Sequence, residues 1–192
     1  MNKLILFGAG GHAKSCIDII LQQKKYRIVS IIEKTNSKEK LLYNYKIIND
    51  QNYKNLRKVA KYAAIGIGQI SNNKLRKNLF LELKKNNFLM PNFFSSRSYV
   101  SKLASISEGI FVMNMAVINA NSLIKPNCII NTGAIIEHDV VVEENCHIAP
   151  GAIICGGANI GSGSFIGAGT IVHQNSKIKK NSIISAGSII KK

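Results

Sequence analysis

A chain of 192 residues, 46% of them hydrophobic, can bury a substantial core as one large domain or two small ones, and none of its apolar runs approaches the length that spans a bilayer. Its 26 Lys and Arg against 10 Asp and Glu give a formal net charge of +16, which suggests anionic partners; with no recognisable motif or stacking aromatics beside the charge, nucleic acid is not expected, and phosphorylated small molecules account for the charge equally well. Cys16, Cys128, Cys146 and Cys155 make neither a paired CxxC metal pattern nor a secreted disulfide framework, so they are read as free buried thiols in a soluble, cytoplasmic protein with no metal site.

The opening "MNKLILFGAGGHAKS" joins a lysine to a short apolar run, as a secretion signal would, but the run stops at Gly8 and reads as a buried first strand. "LILFGAGGHAKSCIDIILQQ" is then a strand, a glycine-rich turn and an amphipathic helix. Gly8, Gly10 and Gly11 would let backbone N–H groups near the helix start approach a phosphate closely. "YRIVSIIEK" is a second strand ending at Glu33, "KVAKYAAIGIG" is a third, and "SNNKLRKNLFLELKKNN" is a helix bearing Arg76 and several lysines. Together they predict a small Rossmann-like α/β domain with parallel strands over residues 1–90; residues 33–55 follow no pattern. The glycine turn lacks both the GK[ST] ending of a P-loop and the full GxGxxG spacing. On its own it fits a tight strand–helix connection as well as a nucleotide site. Residues 91–101, "PNFFSSRSYVS", read as a connector.

Residues 102–191 then fall into fifteen rows of six with no insertion. The fifth column is Ile or Val in all fifteen rows, from Ile106 to Ile190; the third is small except at Ile110 and Val140; the second is Gly, Asn or Asp except at Leu103 and Met115. Gly, Asn and Asp tolerate positive φ, so the second column is the corner of a turn. Columns three and five lie two residues apart and face the same way from a short strand. Three strands and three corners make an eighteen-residue triangular coil, so residues 102–192 predict a parallel β-helix of five coils, about 24 Å tall at ~4.8 Å per strand. Cys128 and Cys146 both occupy column three, one coil apart, and read as core thiols. His138 stands at a corner and His147 in the outward fourth column, so from the repeat alone both read as solvated surface rings.

Three segments carry a wider resemblance: "FGAGGHAKS" at the first turn, "IGIGQISNNKLR" after the third strand, and "IEHDVVVEENCHIAPGAIICGG" in the repeats. Over nearly its whole length the chain resembles the family of sialic acid O-acetyltransferases and nucleotide-amino-sugar N-acetyltransferases (bacillosamine N-acetyltransferase-like enzymes with a left-handed β-helix). The resemblance implies use of acetyl-CoA and acetylation of the 4-amino group of a UDP-linked 4-amino-6-deoxy sugar in bacterial glycan biosynthesis. It also implies roles for particular residues. His138 matches the general base, Asp139 the acidic residue after it, and His147 a second histidine near the acetyl group. Gly156 matches a backbone donor near the thioester, with Ala168 and Ala186 further along the CoA site, while Gly8, Gly10, Gly11, His12 and Glu33 match the nucleotide-sugar site. Three positions depart from the family: Asp139 stands where Glu is common, Glu33-Lys34 replaces a pair of acids, and the chain lacks the proline-containing tail of many relatives.

Acetyl transfer to an amine needs a base for the nucleophile's proton and an acid for the departing thiolate, and one imidazole can serve as both. A carboxylate beside it would fix its tautomer, and an N–H donor would stabilise the tetrahedral oxyanion. Gly156 lies eighteen residues after His138, hence one coil along at the same corner. His147 is half a coil away, so the two histidines could meet only across a subunit interface; a threefold homotrimer with three composite sites would bring them together. Glu137 is the fallback carboxylate. His173 has no such support from the resemblance and reads as a surface or interface residue. Lys177, Lys179, Lys180, Lys191 and Lys192 could attract the CoA phosphates. Alternatives are an O-acetyltransferase acting on sialic acid or a related sugar, a carbonic-anhydrase-type metal hydrolase, for which the histidines are too far apart, and a non-enzymatic nucleotide-sugar sensor.

Overall fold

The computed structural model describes residues 1–33, 40–49 and 52–191; Lys34, Lys192 and part of the unpatterned 33–55 stretch lie outside them. The chain divides into two compact units, Met1–Gly68 with Arg76–Pro91, and Gln69–Leu75 with Asn92–Lys192.

The first unit is built on a five-stranded sheet. Apolar β1 (Asn2–Phe7) runs into α1 (Gly11–Gln22), β2 (Tyr26–Ile32), β3 (Leu41–Leu42), β4 (Tyr45–Ile48), α2 (Tyr53–Val59), β5 (Tyr62–Ile65) and α3 (Lys74–Lys85), whose first two residues belong to the second unit. The strand order is β3-β4-β2-β1-β5, parallel throughout except for the β3–β4 hairpin. β1 and β5 thus flank the point where the order reverses, the usual ligand crevice of such sheets. Leu4, Ile5 and Leu6 are fully buried, as a strand covered on both faces requires. Two expectations need correction. The third strand begins at Tyr62 rather than near Lys58, because Asn52 caps a helix there by accepting the Asn55 N–H at 3.2 Å. The hairpin at 41–48 was not anticipated, since its turn uses Tyr43 at φ 51° in place of a glycine.

In the second unit, seventeen strands of two residues each, β6 (Phe93–Phe94) to β22 (Ile189–Ile190), form parallel sheets of six, five and six among the described residues. Each strand pairs with the strand three ahead, so Ile135 lies beside Ile153 and His147 beside Phe165. The β-helix therefore starts earlier than the sequence reading placed it. Residues 93–94 and 99–100, expected within a connector, pair with Phe111–Val112 and Val117–Ile118. The reason is that Phe94 and Val100 already hold the fifth column, so the structure has nearly six coils rather than five.

The inward columns make the core. Ile118, Ile124, Ile130, Ile136, Val142, Ile148, Ile154 and Ile160 are fully buried, each contributing about 1.5–3 kcal/mol of burial. Polar atoms in column three are satisfied by a carbonyl fifteen residues on: Ser164 Oγ donates to Lys179 C=O at 3.0 Å, Thr170 Oγ1 to Ser185 C=O at 3.0 Å, and Cys128 Sγ to Glu143 C=O at 3.0 Å. Cys16, Cys128 and Cys146 are buried, whereas Cys155, expected to be so, is half-exposed because column six faces outward. Even Met115 adopts the left-handed corner, at φ 59°, where local preference would not place it.

Candidate active site

At the corner after β13 (Ile135–Ile136), Asp139 takes φ 61°, which turns the chain and leaves His138 and Asp139 side by side on the outside. His138 Nδ1 lies 2.7 Å from Asp139 Oδ2, and both side chains are more than half exposed. The hydrogen bond from His138 is the main cause that holds the Asp139 carboxyl below its ordinary value, with Asn121, one coil back, the next. An ionised carboxylate only accepts, so Nδ1 carries the hydrogen and Nε2 is the nitrogen left for a further partner. Glu137 is not the partner: it accepts from Asn119 Nδ2 at 2.9 Å.

Gly156 stacks on the same corner. The Gly157 N–H donates to His138 C=O at 3.0 Å, which fixes the two coils in register. A Cβ on Gly156 would stand 2.7 Å from both Cε1 and Nε2 of His138, so the imidazole lies directly over the glycine. Among the described residues the Gly156 N–H has no backbone partner, unlike its neighbour. The ring's Nε2 and an N–H without a backbone partner thus share one edge of the prism. Ala168 and Ala186 do not join them: both are exposed first-column residues stacked on another edge, tied through the Gly187 N–H to Ala168 C=O bond at 2.8 Å.

His147 departs from expectation. Rather than standing outward in solvent, it is 6% exposed in β15 (His147–Ile148). Its Nδ1 is 2.5 Å from Gln69 C=O and its Nε2 is 3.0 Å from Asn131 Nδ2. Phe165 packs edge-on against the ring at 5.2 Å. The cover comes from segment 69–75, where Gln69 Nε2 donates to Asn145 C=O at 2.9 Å and Asn73 Nδ2 to Gly163 C=O at 3.0 Å. Asn131, Gln69 and Asn121 are the site-forming residues that the sequence reading missed; the partner of His147 lies 78 positions away, beyond any local pattern. His173 is exposed, as expected.

In the first unit the glycine turn links β1 to α1. Gly8 adopts φ 102°, and a Cβ there would stand 2.6 Å from Ile67 Cγ1, so only glycine fits. Gly10 and Gly11 face open space. Helix α1 has neither a side-chain cap nor an acidic residue in its own first turn. Glu33 closes the other side by accepting the Ala9 N–H at 2.9 Å. His12 is half-buried, and a Cβ added at Gly68 would meet its Cβ at 3.4 Å. Arg76 is no surface cation: at 1% exposure, its Nη1 donates to Ile65 C=O and Ile67 C=O, each at 2.8 Å. Burial pushes the nearby Cys16 thiol up to about 12, against a smaller opposing effect of Arg76. Among the described residues, no group of three His, Cys, Asp or Glu could hold a metal ion, and no helix is long and apolar enough to cross a membrane.

Comparison with known proteins places both units. Residues 3–83 match the PglD N-terminal domain, and residues 121–156 and 157–192 match the bacterial transferase hexapeptide (six repeats). No curated protein matches the chain. Among solved structures, the acetyltransferase domain of PglB from Neisseria gonorrhoeae is 26% identical, with a TM-score of 0.87 over 100% of this chain and 92% of that one. The same domain in complex with acetyl coenzyme A is 26% identical, with a TM-score of 0.86 over 99% and 93%. A point mutant of perosamine N-acetyltransferase from Caulobacter crescentus, in complex with CoA and GDP-perosamine, is 26% identical, with a TM-score of 0.92 over 100% and 90%.

Proposed function

We propose that this chain, whose two parts match a PglD N-terminal domain and hexapeptide repeats, transfers the acetyl group of acetyl-CoA to the amino group of a nucleotide-linked 4-amino sugar. UDP is the nucleotide of this reading, 4-amino-6-deoxy sugars are the acceptors, and the product enters bacterial glycan biosynthesis in the cytoplasm. The observation that supports it most is the His138 corner, with Nδ1 engaged by Asp139, Nε2 free, and Gly156 directly beneath the ring.

The chemistry follows from that corner. The sugar amine attacks the thioester carbonyl carbon while His138 Nε2 takes a proton from the nitrogen. The C–N bond forms and the carbonyl becomes a tetrahedral oxyanion, to which the Gly156 N–H donates. As the intermediate collapses, the C–S bond breaks and the imidazolium returns its proton to the thiolate, giving the N-acetyl sugar and CoA. Asp139 stabilises the imidazolium between these steps and keeps its Nδ1 side fixed. Ala168, Ala186 and the lysines at 177, 179, 180 and 191 belong to the CoA side of this reading. Gly8, Gly10, Gly11, His12 and Glu33 belong to the nucleotide-sugar side, where the open start of α1 suits a diphosphate. A threefold homotrimer completes the proposal.

Release of CoA thiol, followed with a thiol reagent, tests it. UDP-linked 4-amino-6-deoxy sugars should turn over, while free or CMP-linked sialic acids should not. Turnover of the sialic acids alone would assign the corner to O-acetylation, and no turnover of any amino sugar would remove the proposal.

A further inference from the structure

We propose that His147 is a positioning residue and carries no proton in the reaction: it is a neutral imidazole, fixed as its Nδ1–H tautomer, that latches segment 69–75 onto the β-helix. Its kinetic consequence rests on the acetyl-transfer reading above; its tautomer does not. Nδ1 faces Gln69 C=O at 2.5 Å, and a carbonyl can only accept, so Nδ1 bears hydrogen. Nε2 faces Asn131 Nδ2 at 3.0 Å. The orientation of that amide is fixed from its other end, where Asn131 Oδ1 accepts the Thr132 N–H at 2.8 Å. The amide nitrogen is therefore the donor and Nε2 the acceptor, which makes the ring neutral.

Protonation of Nε2 would set one donor against another in a site only 6% exposed, at the cost of an unsatisfied buried polar group. Gln69, Asn131 and Phe165, which contact the ring, are themselves uncharged. Histidine suits the place because no other side chain combines a flat apolar body with one donor and one acceptor on opposite edges. The segment it holds is fastened again by Gln69 Nε2 on Asn145 C=O and by Asn73 Nδ2 on Asn181 Oδ1 at 3.0 Å. In the chain, this segment follows β5 after three residues and leads into α3; on the acetyl-transfer reading, loosening it disturbs the nucleotide-sugar side rather than the chemical step. The expected kinetic signature is a weakened Michaelis constant for the nucleotide sugar, with a smaller change in kcat.

Spectra of the full chain labelled with 15N-histidine, recorded from pH 5.5 to 8.5, test this directly. The resonances of His147 are identified by their loss in His147→Gln. Nδ1 should stay protonated and Nε2 unprotonated throughout; a protonated Nε2, or a titration within that range, overturns the proposal. Asn131→Asp exchanges the donor for an acceptor and should turn His147 into an imidazolium at neutral pH; an unchanged neutral ring in that variant also overturns it. His147→Gln keeps a donor for Gln69 C=O but cannot shuttle a proton, so KM for the nucleotide sugar should rise several-fold and kcat fall by no more than about 10-fold. A loss of about 100-fold or more in kcat with KM unchanged would make His147 an acid or base instead. The spectra require no turnover, so they decide the tautomer even if the acetyl-transfer reading fails.

Discussion

His138 and His147 stand nine residues apart in successive six-residue rows, yet the fold gives them opposite environments. At the His138 corner, a carboxylate takes one nitrogen and the other is left open beside an uncommitted N–H. On the flat side, a segment from far earlier in the chain covers His147, and both its nitrogens are occupied by neutral partners. A coil of identical geometry thus presents an open ring or an engaged one according to what lies over it. Position in the repeat decides where a side chain points, and the layer above decides what it can do.

That contrast is sharpest in substitution. His138→Ala should lower kcat by roughly 100-fold or more, with the melting temperature almost unchanged because the ring is over half exposed; retained activity would move the chemistry elsewhere. Asp139→Asn should cost less, about 10- to 100-fold, since Asn tolerates the left-handed corner and only the charge is lost. A loss equal to that of His138→Ala would mean that the imidazole is misplaced without its carboxylate.

The glycines divide in the same way. Gly156→Ala puts a methyl 2.7 Å from the His138 ring, an exposed side chain that can swing aside. Activity should fall about 10-fold with little change in melting temperature. Gly161→Ala drives its methyl to 2.6 Å from Ile178 C=O and the Lys180 N–H, which are backbone and cannot yield. It should destabilise by about 1–3 kcal/mol, read as a drop in melting temperature, while the remaining folded protein keeps its turnover. A reversal of the two outcomes would place the reacting edge of the prism wrongly.

Much of this was legible in sequence because the β-helix repeats its demands every six residues. The corner at Asp139, the stacking of Gly156 on His138 and the inward thiols Cys128 and Cys146 all follow from column positions. The start of the helix was set too late because Pro91 and Arg97 hide the corner column, although Phe94 and Val100 keep the core column intact. The environment of His147 was not legible, since Gln69 reaches it through a carbonyl that any residue possesses. The hairpin at Leu41–Ile48 escaped for a related reason: its turn is built on Tyr43, whose positive φ has no local signature.

The one-coil spacing of His138 and Gly156 has a further consequence. Each winding rests only on those above and below it, so a tandem duplication of eighteen residues between them would be absorbed as one more storey of the tower. The lengthened protein would fold and keep its core, and under the proposed mechanism it would be chemically silent, because imidazole and amide would stand two floors apart. In such a molecule, growth in length is tolerated almost anywhere except within the single storey that the proposed reaction uses.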